Sequence, residues 1–284
     1  MNASHMKPAN FTRRTANLPA KFAREKRFDL IALYHLLRLS DLAREGIEHS
    51  GSYRFADHLY RNEASGRGWF GRWLDRCLLK LPASRAMRSR CARSSEEMHR
   101  AFKAHLATGD PKPFRILTVP CGIPRDVRDF AAQLAAQSPE LLSLVEYAGM
   151  DLDPEVVSAA KTFLDGSGIG ASRIIEGNAL DRAGYGAQRC DFIASTGLGE
   201  FLGDEDLGAF YGNVFDALAP GGTFFTSAHG YEKRSDALLR AFEFHSHYRT
   251  RSDLGRLLAC HPWKAVTLEQ HSSGLQTFAR AVKG

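Results

Sequence analysis

From residue 112 onward, apolar runs of strand length alternate with stretches in which apolar residues recur every three or four positions. Such a pattern describes strands separated by amphipathic helices. It predicts strands near 114–119, 145–150, 172–176, 190–195, 222–227, 264–270 and 275–282, and so an α/β sheet with helices on both faces. Only a short polar turn around Ser272, Ser273 and Gly274 separates the last two strands. They should form a hairpin and not a crossover, which leaves a mostly parallel sheet closed by an antiparallel strand.

The first 110 residues carry a helical pattern. Phe28 to Leu42 is apolar around most of its circumference, as a core helix or the wall of a hydrophobic pocket would be. Breaks are expected at Ser50 to Tyr53, around Gly51, and at Ala64 to Gly68. Beyond them Trp69, Phe70, Trp73, Leu74, Cys77, Leu78 and Leu81 fall at helical spacing beside a basic stripe of Arg72, Arg76 and Lys80. A basic amphipathic helix of this kind packs on a neighbouring domain, contacts an acyl chain or lies on a membrane surface. Ser94 and Glu97 have the spacing of a capping box ahead of Met98, Phe102 and Leu106, and Gly109, Asp110 and Pro111 end that helix. The domain boundary is placed there, giving a basic helical region over 6–110 and an α/β domain over 111–284. Met1 to His5, ahead of Met6, carry no structural signal and read as a cloning scar.

Charge sharpens this division. Residues 1–110 hold 21 Lys and Arg against 11 Asp and Glu, a net of +10, whereas residues 111–284 have a net of −4. The first region is either a solvated surface or the part that meets something acidic. The composition, 44% hydrophobic and 25% charged, excludes a disordered or fibrous chain. Five scattered cysteines without C-x-x-C spacing, and no apolar run of membrane-spanning length, point to free thiols in the cytoplasm and to no metal centre.

The candidate chemistry is concentrated at the first two strands of the second region. F-R-I-L-T-V-P-C-G-I-P-R-D, residues 114–126, is a strand broken by a Gly-bearing turn, and Y-A-G-M-D-L-D-P, residues 147–154, is a strand ending on Asp151. A strand, turn, helix and second strand ending in an acid is the unit that binds an adenosine-type cofactor at the carboxyl edge of a sheet. Asp153 and Pro154 read as a helix N-cap and first-turn proline.

In order along the chain, V-P-C-G, G-M-D-L-D-P, E-G-N-A-L-D, C-D-F-I-A-S-T-G-L and A-L-A-P-G-G resemble the motifs of class I S-adenosylmethionine-dependent methyltransferases, from Pro113 to the C-terminus. The resemblance implies a Rossmann-like seven-stranded fold and S-adenosylmethionine as cofactor. It places Pro120, Cys121, Gly122 and Arg125 at the methionine portion and Asp151 and Leu152 at the ribose. Asn178 and Ala179 fall at the adenine, and Ser195 and Thr196 beside the transferable methyl. Thr118, Pro120 and Pro124 depart from the family's acid and two glycines, which leaves its amino-group contact to Arg125 or Asp126; Asp126 also reads as a favourable charge at a helix N-terminus. The lip after the fourth strand, through Glu200 and Phe201, lacks the N-P-P-Y tetrad of enzymes that methylate exocyclic base amines, which argues against nucleic acid as a substrate.

Methyl transfer requires in-line positioning of the acceptor and, for a hydroxyl, a base. Candidate catalytic or positioning residues are Glu200, His229, His247 and Tyr248, together with Tyr231, His245 and Arg249. Thr250 and Asp253 read as a capping box. A narrower resemblance links V-P-C-G-I-P-R, G-L-G-E-F-L-G-D-E-D-L and H-Y-R-T-R-S-D-L to bacterial enzymes that make 3-hydroxy fatty acid methyl esters as cell-density signals in quorum sensing. It implies carboxyl O-methylation of a small-molecule acyl substrate, free or on an acyl carrier protein. Residues 20–110 would then form a lid, with peripheral membrane contact as one role for the Trp-rich helix. A secondary-metabolite O- or N-methyltransferase and a non-catalytic binding module are the alternatives.

Overall fold

The computed structural model describes residues 17–49, 52–242 and 246–284. Met1 to His5, the Ser50–Gly51 break and His245 lie outside the described residues. The chain divides into two compact units, one of Ser89–Tyr231 with Ser246–Gly284 and the other of Asn2–Arg88 with Glu232–His245.

The second unit is helical. It contains α1 (Leu18–Arg24), α2 (Phe28–Leu37), α3 (Asp41–Glu48), α4 (Tyr53–Arg61), α5 (Gly68–Leu79) and the start of α6 (Pro82–Thr108). The apolar stretch expected to run unbroken from Phe28 to Leu42 is split, because the Ser40 hydroxyl accepts the Ala43 N–H at 2.9 Å and caps a new helix. Nor is α2 a buried core helix: Leu30 is its buried residue, and Phe28 is 68% exposed. Leu18, Phe22, Leu30, Ile47 and Phe242 form one small core, and Leu42, Leu59 and Leu79 another.

The α5 helix also departs from expectation. Its buried strip is Gly71, Asp75 and Leu79, while Trp69 and Trp73 remain exposed. Asp75 explains this orientation. Its carboxylate accepts from the Ser40 hydroxyl and from the N–H groups of Leu42 (3.3 Å), Ser65 (2.9 Å) and Gly66 (2.7 Å), so a buried charge is satisfied by four donors.

The chain passes from one unit to the other between Arg88 and Ser89, inside α6. This helix runs without interruption through Ser94 and Glu97, so they do not cap a helix start. The Ser94 hydroxyl makes a tertiary bond to Asp126 at 2.6 Å, while Glu97 pairs with Arg100 within the helix at 2.7 Å and with Arg280 of the sheet at 3.9 Å.

The first unit is a seven-stranded sheet of β1 (Phe114–Thr118), β2 (Val145–Asp151), β3 (Ala171–Glu176), β4 (Cys190–Ser195), β5 (Leu218–His229), β6 (Trp263–Gln270) and β7 (Gln276–Lys283), in the order β3-β2-β1-β4-β5-β7-β6. The first five strands are parallel, and β7 runs antiparallel to both β5 and β6. The strands and the closing hairpin fall where the sequence places them. The A-P-G-G segment, expected as a turn before β5, lies within it as an irregularity: Cys190 pairs with Leu218 and Phe192 with Thr223.

Helices α7 (Arg125–Gln137), α8 (Pro154–Leu164), α9 (Asp204–Ala217) and α11 (Arg251–Leu258) belong to this unit, whereas α10 (Lys233–Ala241) belongs to the helical one. Val127, Phe130, Ala131 and Leu134 bury one face of α7, and Phe102 of α6 packs edge-on against Phe114 and Phe130 at 5.3 and 5.9 Å. Asp153 caps α8 through the Glu155 N–H, and Thr250 with Asp253 forms the capping box of α11. Such packing fixes the carboxyl ends of β1, β2, β4 and β5, where the candidate chemistry lies.

Candidate active site

The end of β1 and the end of β2 are joined by backbone bonds. The Cys121 N–H donates to the Met150 carbonyl at 2.8 Å, and the Gly122 N–H to Asp151 Oδ2 at 3.0 Å. Gly122 has φ +49, a conformation that side chains resist, and the space where a Cβ would project is open. Asp151 is 7% exposed, and its Oδ1 accepts the Asp153 N–H at 3.2 Å. Burial pushes its carboxyl above the usual range, opposed by the bonds from Gly122 and Asp153. Each carboxylate oxygen takes one backbone bond and keeps a lone pair, enough to receive a vicinal diol.

Residues around the turn have defined partners. Thr118, at the family's acid position, shares a 2.6 Å hydrogen bond with the Tyr147 hydroxyl, so the departure is a buried neutral pair. Pro120 and Leu152 are half-buried, and the Val119–Pro120 peptide is cis. Burial, then the charge of Asp151 and also that of Asp126, pushes the Cys121 thiol up, so it is a packing group and not a thiolate. Asp126, second residue of α7, accepts from Ser94 and from the Val127 N–H (3.0 Å), and burial raises its carboxyl. The Arg125 guanidinium lies 4.9 Å from the Phe163 ring centre. Asn178 Oδ1 accepts the Leu180 N–H at 2.9 Å, while the Ala179 carbonyl takes the Tyr185 hydroxyl at 2.7 Å.

A second group of residues lies at the ends of β4 and β5. Ser195 is buried and Thr196 half-buried. Past them Gly197, at φ +103, brings the backbone so close to Arg90 that a Cβ would lie 3.1 Å from a guanidinium nitrogen. Arg90, 3% exposed on α6, donates to Glu200 at 2.6 Å. Burial lowers the imidazole pKa of His229, at the end of β5; Glu200 acts to raise it and Arg90 to lower it. The neutral ring is therefore favoured near pH 7. The Tyr248 ring lies tilted at 5.7 Å from His229 and edge-on at 5.4 Å from Tyr231. Glu200, His229 and Tyr248 are thus brought together. The His247 side chain is exposed, and its backbone N–H holds the Glu200 carbonyl at 2.8 Å. Arg249 spends its guanidinium on the carbonyls of Gly199 and Leu202 (2.7 Å) and on Asp204 (2.8 Å), clamping the lip after β4.

Three residues of this group carry no signal in the sequence. Arg90 reads as one more cation of a basic region. Gln276 faces His229 directly across the β5–β7 register, is 0% exposed, and has neither amide atom hydrogen-bonded. Ser227, two residues before His229 on the same face of β5, has a buried hydroxyl without a partner. Only the period-two pattern that puts Ser227 and His229 on one face could have joined them. Among the described residues no three His, Cys, Asp or Glu side chains stand together as a metal site, and no helix is long and apolar enough to cross a membrane.

The strand order, the inserted antiparallel β7 and the acid ending β2 define the Rossmann-like fold of class I methyltransferases. The chain belongs to the family described as "Putative methyltransferase", whose model matches residues 19–247. It is similar to a solved structure described as a possible exported protein from Bordetella parapertussis, with TM-score 0.74, 20% identity, and 98% of this chain and 99% of that chain covered. It is also similar to magnesium protoporphyrin IX methyltransferase from Synechocystis PCC 6803, solved with bound S-adenosylhomocysteine, with TM-score 0.52, 10% identity, and 80% and 93% covered. At these identities the likeness is one of fold. No curated protein matches the chain.

Proposed function

We propose that this methyltransferase uses S-adenosylmethionine to methylate the carboxylate of a 3-hydroxy fatty acid. The observation that carries the cofactor assignment is the Asp151 carboxylate, fixed by the Gly122 and Asp153 N–H groups with a lone pair left on each oxygen. The turn fits the donor's methionine portion: Gly122 leaves the backbone open, and the Cys121 thiol beside it feels the negative charges of both Asp151 and Asp126. That charge suits a cationic sulfonium ligand. The cofactor supplies an activated methyl group.

The protein then has to hold an acceptor oxygen in line and exclude water. A carboxylate is ionised at neutral pH and needs only donors. The Gln276 amide and the Ser227 hydroxyl supply them beside His229. Support for an acyl substrate comes from the segment resemblances and from the exposed Phe28, Trp69 and Trp73 of the helical unit.

A second reading is favoured by the depressed imidazole pKa of His229, because a neutral buried histidine is a competent general base for a hydroxyl acceptor. Steady-state kinetics of His229→Gln with 3-hydroxy fatty acids and with phenols separates them. Carboxyl transfer predicts methyl ester formation with mainly a raised KM. Hydroxyl transfer predicts a fall in kcat of about 100-fold or more. Absence of any methyl ester while a phenol or amine is turned over rejects the fatty acid assignment.

A further inference from the structure

The helical unit holds a cavity lined by none of the residues assigned above to cofactor or acceptor. This cavity, of about 380 Å³, is walled by Arg76 of α5, Lys80 just after it, Arg85 and Arg88 of α6, Asn62 after α4, and the apolar side chain of Leu79. No acid lines it. The acids adjacent in sequence are committed elsewhere: Glu63 to Arg61 at 4.0 Å, and Asp75 to its four donors around Ser40 and Gly66. None of the four cations forms an ion pair among the described residues. Arg88 donates through Nη2 to the Leu79 carbonyl at 2.8 Å, while its Nη1 is buried without an acceptor. Burial and the neighbouring Arg85 both act against its charge. Four like charges around one concavity repel one another, and an anion between them removes that repulsion.

We propose that this cavity binds the phosphate group of a phosphorylated small molecule. Three arginines and a lysine exceed what one carboxylate would need and match a group carrying nearly two charges and three acceptor oxygens. Guanidinium forks suit its geometry. The volume is within the range of small-molecule sites, so there is space for the body of the ligand against Leu79.

Calorimetric titration of the full chain with pyrophosphate and with coenzyme A tests the proposal by binding alone. The double variant Arg76→Gln/Lys80→Gln changes two exposed side chains, and Arg72→Gln removes one charge from α5 outside the cavity. Saturable binding is expected, weakened about tenfold or more in the double variant and unchanged in Arg72→Gln. Tighter binding of coenzyme A than of pyrophosphate is expected for a phosphate ester of a longer molecule; equal affinity assigns inorganic phosphate and overturns the phosphorylated-molecule assignment. Absence of saturable binding to either probe, or an equal loss in Arg72→Gln, overturns the proposal. Unchanged circular dichroism and thermal unfolding show that the variants are folded.

Discussion

The carboxyl edge of the sheet has two unlike halves. Around β1 and β2 the polar groups are bonded: Asp151 to Gly122 and Asp153, Thr118 to Tyr147, Asp126 to Ser94. Around β5 and β7, Gln276 and Ser227 are buried without partners beside a neutral His229. Unpaired buried polar groups cost free energy, so they persist where something outside the chain pairs them. The first half is bonded within the chain; the second leaves polar groups for the acceptor that the proposed function places there. This is the division expected of an enzyme with one fixed cofactor and a family-specific acceptor.

The largest effect expected from breaking the contrast comes from Glu200. Its ion pair with Arg90 is buried on both sides and joins α6 to the lip after β4. Glu200→Ala should destabilise the chain by about 3–5 kcal/mol, measured by urea unfolding, because the guanidinium loses its carboxylate in a dry site. A loss below about 1 kcal/mol would mean that the pair is open to water.

Gln276→Leu sharpens the contrast from the other side. Since neither amide atom is bonded, the substitution should leave the free protein equally stable or up to about 1 kcal/mol more stable, while acceptor turnover falls. Lower stability with unchanged turnover would show an internal structural role.

Smaller effects follow from His229. Its folded pKa lies below 6.5 because burial disfavours the charged ring. As pH falls through 6.5 the unfolded chain takes up the proton first. The contribution of His229 to stability is therefore constant above that pH and is lost between it and the lower folded value. Thermal unfolding of wild type and His229→Gln across pH 5–8 should converge toward the acid side. For Asp151 the shift is upward, so cofactor affinity should weaken at a higher pH than an ordinary carboxylate would give.

Much of the sheet was legible in the sequence, because strand period, turn glycines and N-caps are local. Asp151, the Asp153 cap and the Thr250–Asp253 box each involve partners within a few residues or a standard strand end. Where local pattern met a distant partner, it misled. Ser94 and Glu97 have capping-box spacing, yet Ser94 is bound to Asp126 in the middle of a helix. The exposed tryptophans of α5 followed from Asp75, whose donors lie up to 35 residues away. Glu200 is paired with an arginine 110 residues distant, and Gln276 meets His229 only through strand register. Periodicity shows which face of an element is apolar; it does not name the element on the other side.

The central claim is that Asp151 anchors S-adenosylmethionine at the end of β2. Calorimetric titration with S-adenosylhomocysteine, on wild type and Asp151→Ala, tests it most directly. Two charge-assisted hydrogen bonds to a ribose contribute about 3 kcal/mol or more together, so the account predicts binding to wild type that weakens by about 100-fold in the variant. Equal affinity in the two proteins, or no binding to wild type, would contradict it.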